Sequence, residues 1–457
     1  MNGNGHLLHT SARRSRRRKD SSGLLGLLLP FFAFPVLLPG CGPENPRAEG
    51  SGFQVRDSAG VDVVTNPSVG ALGADTLTLE EELRIGVVEG EDHYQFYQVD
   101  DLAMDEAGTL FVGNTMTGTV RVFTSEGEFV REFGGRGEGP AEVSMVNQVW
   151  LAGDSVVVMD WQRGGKTVVF TKTGELVASW RSMHPEGRRI TLFGFGPEGW
   201  VGFSDPPYRD RIREAPEGEP VELRRDLRHV FPGQDSVGNV FVRLPPQVLY
   251  GSSETHGLDW GLFGHRTDFG FDAAGKLFLS RGHPYEIDVF DSRGNLTRRV
   301  RRAYDPVLIT EDHVRDVVEE LPAPLDTMSR LPPEERADQK ERVVARVKRQ
   351  ASFPHPDTLG CLGRLLVARD GAFWVERVDG VSPIEIELRK MWFGLQHSSE
   401  TPTIWDVFDP EGRFLGTVRL PARFGPMAVE ERAVVGVLKD AMDVEYVVRY
   451  RIVPASP

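Results

Sequence analysis

The sequence predicts an all-β fold, a six-bladed β-propeller with a helical insertion between blades four and five, and three observations carry that expectation. The 457 residues are 40% hydrophobic and include 50 glycines and 31 prolines, enough apolar material for a large core and a composition that favours many turns over long helices. A Val-Phe-x-x-x-Gly unit occurs four times, at 122–127, 169–174, 289–294 and 407–412. A second unit at 105–112 is echoed at 272–279 and 369–375, and the offset from Asp105 to Phe123 and from Asp272 to Phe290 is 18 residues both times. Each repeat reads as four short β-runs parted by turn signals, where Gly accepts a positive φ and closes a hairpin. One such sheet cannot bury both of its faces alone. Stacking the sheets about an axis hides the apolar faces and leaves only short, protected edges.

In chain order, residues 1–40 form a targeting segment. Arg13, Arg14, Arg16, Arg17, Arg18 and Lys19 precede an apolar run of 15 residues, 24–38, that contains Pro30 and Pro35; a lasting transmembrane helix needs about 20 apolar residues. The run ends in Leu38-Pro39-Gly40-Cys41, which resembles a bacterial lipoprotein signal. That resemblance implies lipidation of Cys41 as the first mature residue, and Gly42 after it implies release to the outer membrane, facing the periplasm. Acyl chains bury about 0.8 kcal/mol per CH₂, so a multiply acylated cysteine is a stable anchor. Removing residues 1–40 takes six basic residues and Asp20 from a chain of net charge -14, leaving -19. Cys41 and Cys361 are the only cysteines; with the first lipidated, no disulfide forms within the mature chain and Cys361 reads as a small buried hydrophobe.

Residues 41–76 comprise a tether and N-terminal strands, and 77–454 the propeller. Either 53–64 or 77–88 completes the last blade and closes the ring. Blade one takes its β-runs from 99–104, 109–113, 119–123 and 129–133; later units begin near Gln148, Thr191, Asp268 and Arg364, and a divergent last one covers 427–452. In this connectivity the loops between second and third strands emerge on the same face as the linkers between blades. Every long excursion belongs to that class: 205–220 in blade three, 231–265 between three and four, 303–361 between four and five, and 379–402 in five. Long loops in compact domains are usually functional, so a binding site is expected at the axial mouth on that face. Within 303–361, Thr310 caps a helix with Val314, Val317, Val318 and Leu321 on one stripe, and Pro332-Pro333 starts a second over 334–350. This insertion is either a lid over the mouth or a brace against blades four and five.

The repeat, and the linker Phe133-Gly134-Gly135-Arg136-Gly137-Glu138-Gly139-Pro140 after it, resemble NHL-type repeats. The whole mature chain resembles the bacterial six-bladed β-propeller lipoproteins of unassigned activity, over about residues 87–452. This implies a fold and not a reaction, because propellers host hydrolases, lyases and binding modules alike.

The acidic net charge argues against binding a phosphate backbone, so nucleic acid is excluded as the main partner. Gly164-Gly165-Lys166-Thr167 imitates a phosphate loop, but Asp160 stands where the first Gly is required and a strand follows. No H-E-x-x-H, G-x-S-x-G or paired C-x-x-C occurs, so zinc and serine-hydrolase chemistries lack their ligands or nucleophile. His256, His265 and His397 lie in long loops, where they read more simply as solvated residues than as ligands. One constellation stands out at the mouth-side end of the second strands: Asn114, Asp160, Asp205, Arg281 and Arg377. Such a ring of mixed sign grips a polar or zwitterionic ligand, or a cation on its acidic half; the simpler role is to satisfy turn backbone groups or pair internally. Tyr208, Trp260, Trp392 and Trp405 lie in or beside the long loops as contact anchors or core.

Two functions fit. The first is a lipid-anchored, non-catalytic module of the cell envelope that binds a small polar ligand or a protein through its long-loop face, without a cofactor. The second is a metal-dependent hydrolase or lactonase with acids and a divalent cation at the axial mouth; Arg281 and Arg377 would oppose that cation. The anchor has a direct check: Cys41→Ser is expected to move most of the mature chain from the membrane to the soluble fraction, and unchanged membrane association contradicts lipidation.

Overall fold

A computed structural model describes residues 52–453, apart from 73–75, 162–164, 182–189, 197–198, 205–214, 232–235, 253–256, 322–332, 379–380 and 392–400. The targeting segment and Cys41 lie outside the described residues.

The fold is a six-bladed β-propeller. From the axis outward, blade one is Val99–Met104, Leu110–Asn114, Thr119–Phe123 and Phe129–Gly134. Blade two is Gln148–Ala152, Ser155–Asp160, Lys166–Thr171 and Leu176–Arg181, and blade three is Ile190–Gly196, Gly199–Ser204, Asp226–Phe231 and Ser236–Arg243. Blade four is Asp268–Phe271, Leu277–Ser280, Glu286–Phe290 and Leu296–Arg302, and blade five is Leu362–Val367, Phe373–Arg377, Thr403–Phe408 and Phe414–Leu420. Blade six is Phe424–Val429, Ala433–Lys439 and Glu445–Val453, with Thr76–Ile85 from the start of the chain as its outermost strand.

The repeated hexapeptide has a local cause. Thr124 Oγ1 accepts from the backbone N–H groups of Glu126 and Glu128, while Asp291 Oδ1 and Asp409 Oδ1 each accept two N–H groups of their own turns. The Gly that ends each unit has a φ of 85°, 91°, 84° or 81°, a conformation costly for any residue with a Cβ. All four Val-Phe pairs coincide with a register shift against the outer strand, which sets Phe123, Phe170, Phe290 and Phe408 opposite Phe129, Leu176, Leu296 and Phe414. These bulges add the twist that lets flat sheets stack radially. Between blades two and three the filling is aromatic: Trp200 lies edge-on to Trp150 and Trp180, with centroids 5.3 and 5.8 Å apart.

The two candidate closing segments have different fates. Thr76–Ile85 runs antiparallel to the C-terminal strand, from Ile85 opposite Val447 to Thr78 opposite Val453, and so closes the ring. Its first residues also pair in parallel with Thr417 and Val418 of blade five. The earlier hairpin, Gln54–Ser58 and Val61–Asn66, extends the outer edge of blade four instead. It is fixed by Asn66, which donates to Gly412 O at 2.9 Å and accepts from Phe414 N at 2.8 Å. In blade three, the excursion expected at 231–265 is shorter than the sequence suggests: its first part is the outer strand Ser236–Arg243, and the linker begins at 244.

Ile85 is buried in the core shared by blades six and one, with Val99, Leu110 and Val447. Ile85→Ala is expected to cost about 2–4 kcal/mol, read as a lower denaturation midpoint, whereas Val55→Ala on the exposed face of the earlier hairpin should change it by under about 0.5 kcal/mol. Equal effects would show that the closing strand does not hold the ring.

Candidate functional site

The four excursions form one cap. Pro220–Leu223, inside blade three, pairs with Gln247–Ser252 of the next linker, which pairs in turn with Gly257–Trp260. The linker between blades four and five forms α1 (Glu311–Glu320) and α2 (Pro333–Ala351), and the blade-five excursion forms α3 (Pro383–Met391), a helix the sequence reading missed. Helix α1 packs on both α2 and α3. Its Thr310 cap accepts from His313 N, and Val317 and Leu321 are fully buried with Leu262, Phe263, Val347 and Leu359.

Polar contacts lock the pieces together. Asp259, almost fully buried, receives Arg346 Nε at 2.9 Å, Arg349 Nη2 at 2.7 Å and Gln350 Nε2 at 3.1 Å. The Tyr250 ring stacks on Phe353 at 4.6 Å and its hydroxyl donates to Pro354 O at 3.0 Å. Glu387 of α3 accepts from Phe263 N at 2.8 Å. Both oxygens of this buried carboxylate therefore meet donors, so neither is stranded.

Under the cap, at the axial mouth, lies a cavity of about 410 Å³. The inner strands of blades two to six contribute Gln148, Phe193, Asp268, Arg364 and Phe424, while the cap contributes Phe263 and Leu359. Its walls are mostly apolar with a few convergent polar groups, the composition of small-molecule sites. The polar end is compact. Asp268 Oδ2 accepts from Leu365 N at 2.7 Å, and Glu376 Oε2 accepts from Arg364 N at 3.2 Å, so two carboxylates meet the same stretch of blade five as the Arg364 side chain.

The rim carries further straps of this kind: Asp101 Oδ2 accepts from Val149 N of blade two at 2.9 Å, and Glu445 Oε2 of blade six accepts from Val99 N of blade one at 2.8 Å. Loss of hydration pushes Asp101 up to about 7 and raises Asp268, while the strapped N–H groups and the positive charge of Arg364 pull both down.

Residues 87–178 match a family described as a 6-bladed beta-propeller. Solved structures similar to this chain include a protein of Bacteroides fragilis described as exported, at 9% identity and a TM-score of 0.46, covering 86% of this chain and 99% of that one. Another is a member of the DUF4221 family from Bacteroides vulgatus, at 10% identity and a TM-score of 0.47, covering 83% and 98%. A third is virginiamycin B lyase from Staphylococcus aureus, at 9% identity and a TM-score of 0.34, covering 82% and 100%. No curated protein matches the chain.

Of the residues singled out at the second-strand ends, the described ones, Asn114, Asp160, Arg281 and Arg377, do not line this cavity. Asn114 is fully buried and its Oδ1 accepts from Tyr97 N at 3.1 Å; Asp160 Oδ2 accepts from Ser144 N at 2.7 Å. Both tie down the linker entering their own blade. Arg281 is half-exposed and pairs with the buried Asp288 at 3.1 Å, and Arg377 ends its strand opposite Leu362 and Ile404. Asp205 lies outside the described residues, as do His256, His397, Tyr208 and Trp392. Trp405 is fully buried and lines the cavity, His265 lines it too and donates from Nε2 to Thr358 O at 3.0 Å, and Trp260 is exposed. The Gly134–Gly139 linker holds no open anion nest, since Glu142 of the same linker accepts from Gly139 N at 2.8 Å. Among the described residues, no three His, Cys, Asp or Glu side chains are placed to hold a metal ion. Sequence reasoning missed Asp101, Asp268, Arg364 and Glu376. Arg364 alone is a charged residue inside an otherwise apolar strand; Asp101 and Glu376 each have a charged neighbour in their strands, and Asp268 begins its own.

Asp101 generates a pH test. Its folded value of about 7 lies above the ordinary 3.8, so between those two pH values the folded chain keeps a proton that the unfolded chain has lost, and the group makes stability fall as pH rises through that window. Asp101→Asn keeps an acceptor for Val149 N–H without the charge. Its Tm relative to the natural chain is expected to climb across that window and level off above it; a difference that stays constant with pH contradicts the account.

Proposed function

We propose that this protein is a lipid-anchored propeller of the cell envelope that binds a small ligand, without transforming it, in the capped axial cavity. The observation that carries the reading is the cavity itself: apolar walls, a compact charged end, and a roof to which three of the excursions contribute, through Phe263, Leu359 and Ile386. In this reading the 303–361 insertion serves mainly as a brace, since α1 and α2 pack on the rest of the cap while only Leu359 and Gly360 of that insertion reach the cavity. Export and anchoring are supported by the basic and apolar leader ending at Cys41. The membrane attachment in this reading is Cys41; no helix among the described residues is long and apolar enough to cross a membrane. The acids at the mouth act as backbone straps, a use that accounts for Asp101, Asp268, Glu376 and Glu445 without calling on a reaction.

Trp405 reports on the cavity, since its ring is buried in the wall and its Nε1 donates to Thr403 Oγ1 at 2.9 Å. Titrating the full chain with a panel of small amphipathic compounds should reveal at least one that changes tryptophan emission saturably, with most of the response lost in Trp405→Phe and the compound recovered unchanged. A response that survives the substitution, no saturable response at all, or conversion of the compound to a product contradicts the proposal.

A further inference from the structure

Resting on that cavity as a ligand site, we propose that its ligand class is a small zwitterion with a bulky apolar group: an apolar α-amino acid or dipeptide. Four features of the cavity converge on this chemistry. Arg266 and Arg364 balance Asp268 and Glu376 among the lining side chains, so a ligand carrying one net charge would leave an uncompensated charge in a poorly hydrated space, whereas a zwitterion adds none. Both signs lie close together, because the two carboxylates bond to the backbone at Leu365 and Arg364, and Arg266 is two residues from Asp268. That juxtaposition suits an ammonium and a carboxylate held close on one short backbone, and it does not suit a long chain with a charge at each end.

Gln148 supplies an independent observation. It lines the cavity, and its Oε1 is buried with no hydrogen-bond partner among the described residues. Buried acceptors without a donor are rare and costly, so a turn of the Gln148 side chain that brings this oxygen to the cavity gains by meeting an N–H donor there, which an ammonium provides. The same cavity carries apolar and aromatic surface from Phe193, Phe263, Leu359, Ile386 and Trp405. A side chain such as that of leucine or phenylalanine gains by leaving water for this wall. The volume of about 410 Å³ has room for on the order of a dozen water-sized groups, the size of a free amino acid or dipeptide.

The probes are L-phenylalanine, L-leucyl-L-leucine, glycine, N-acetyl-L-phenylalanine and L-phenylalaninamide, titrated calorimetrically into the full chain. Phenylalanine or leucyl-leucine is expected to bind, with affinity at least tenfold lower for either singly blocked analogue and for glycine. Gln148→Leu should weaken binding about fivefold, and Arg364→Met at least tenfold, with thermal unfolding recorded alongside. If Arg364→Met does not fold, Gln148→Leu and the blocked analogues still decide the matter. Blocked analogues binding as well as phenylalanine, or binding of apolar compounds alone, overturn the zwitterion and leave the ligand site standing. A cavity that takes none of the amphipathic panel either overturns both.

Discussion

The structure depends on one pairing, between a strand from the beginning of the chain and the strand at its end. Thr76–Ile85 completes blade six against Glu445–Val453, and without it the sixth sheet would expose an edge and the ring would be an open arc. Closure makes the inner strands converge, and their convergence creates the axial cavity. The closing strand also reaches Thr417 and Val418 of blade five, so a single segment joins two blades and hides both the edge of one and the flank of the other.

Charge at the mouth serves the ring before it serves a ligand. Carboxylates at Glu445, Asp101 and Asp268 each accept a backbone N–H from the inner strand of the following blade, at 2.8, 2.9 and 2.7 Å. Each strap fixes the radial spacing of two sheets that share no ladder hydrogen bonds between them. Farther out, Asp406 does the same for blades four and five: fully buried, it accepts from Tyr285 Oη at 2.5 Å, Arg302 Nη1 at 2.6 Å and Thr417 Oγ1 at 2.7 Å. Burial raises the Tyr285 hydroxyl well above its usual value, so it stays a donor. These groups hold blades together; the cavity adds Arg266 and Gln148 to a framework that already places both charge signs.

What the sequence reveals follows from how local each interaction is. The Thr124, Asp291 and Asp409 turns are complete within five residues, and so their repeats are visible in the chain and give blade number and boundaries. Ser236–Arg243 escaped recognition because blade three lacks the Val-Phe-x-x-x-Gly turn before it, and α3 because nine residues starting at Pro383 carry too few turns for a distinct stripe. At the site, position along a strand is legible but partner is not. Asn114 and Asp160 sit at mouth-side strand ends as expected, yet their acceptors are spent on Tyr97 N and Ser144 N. Arg364 and Asp268 meet only because blades four and five are neighbours in a closed ring, a relation between residues 96 positions apart that no local pattern encodes.

The claim on which the site rests is that excursions from four places in the chain fold as one cap, three of which supply residues to the axial cavity. Hydrogen exchange of the full chain measures this directly. The account predicts that protected amides of Gln247–Ser252, α1, α2 and α3 open together with one shared free energy, distinct from that of the blades. Independent opening of each segment, with no common value, would contradict it.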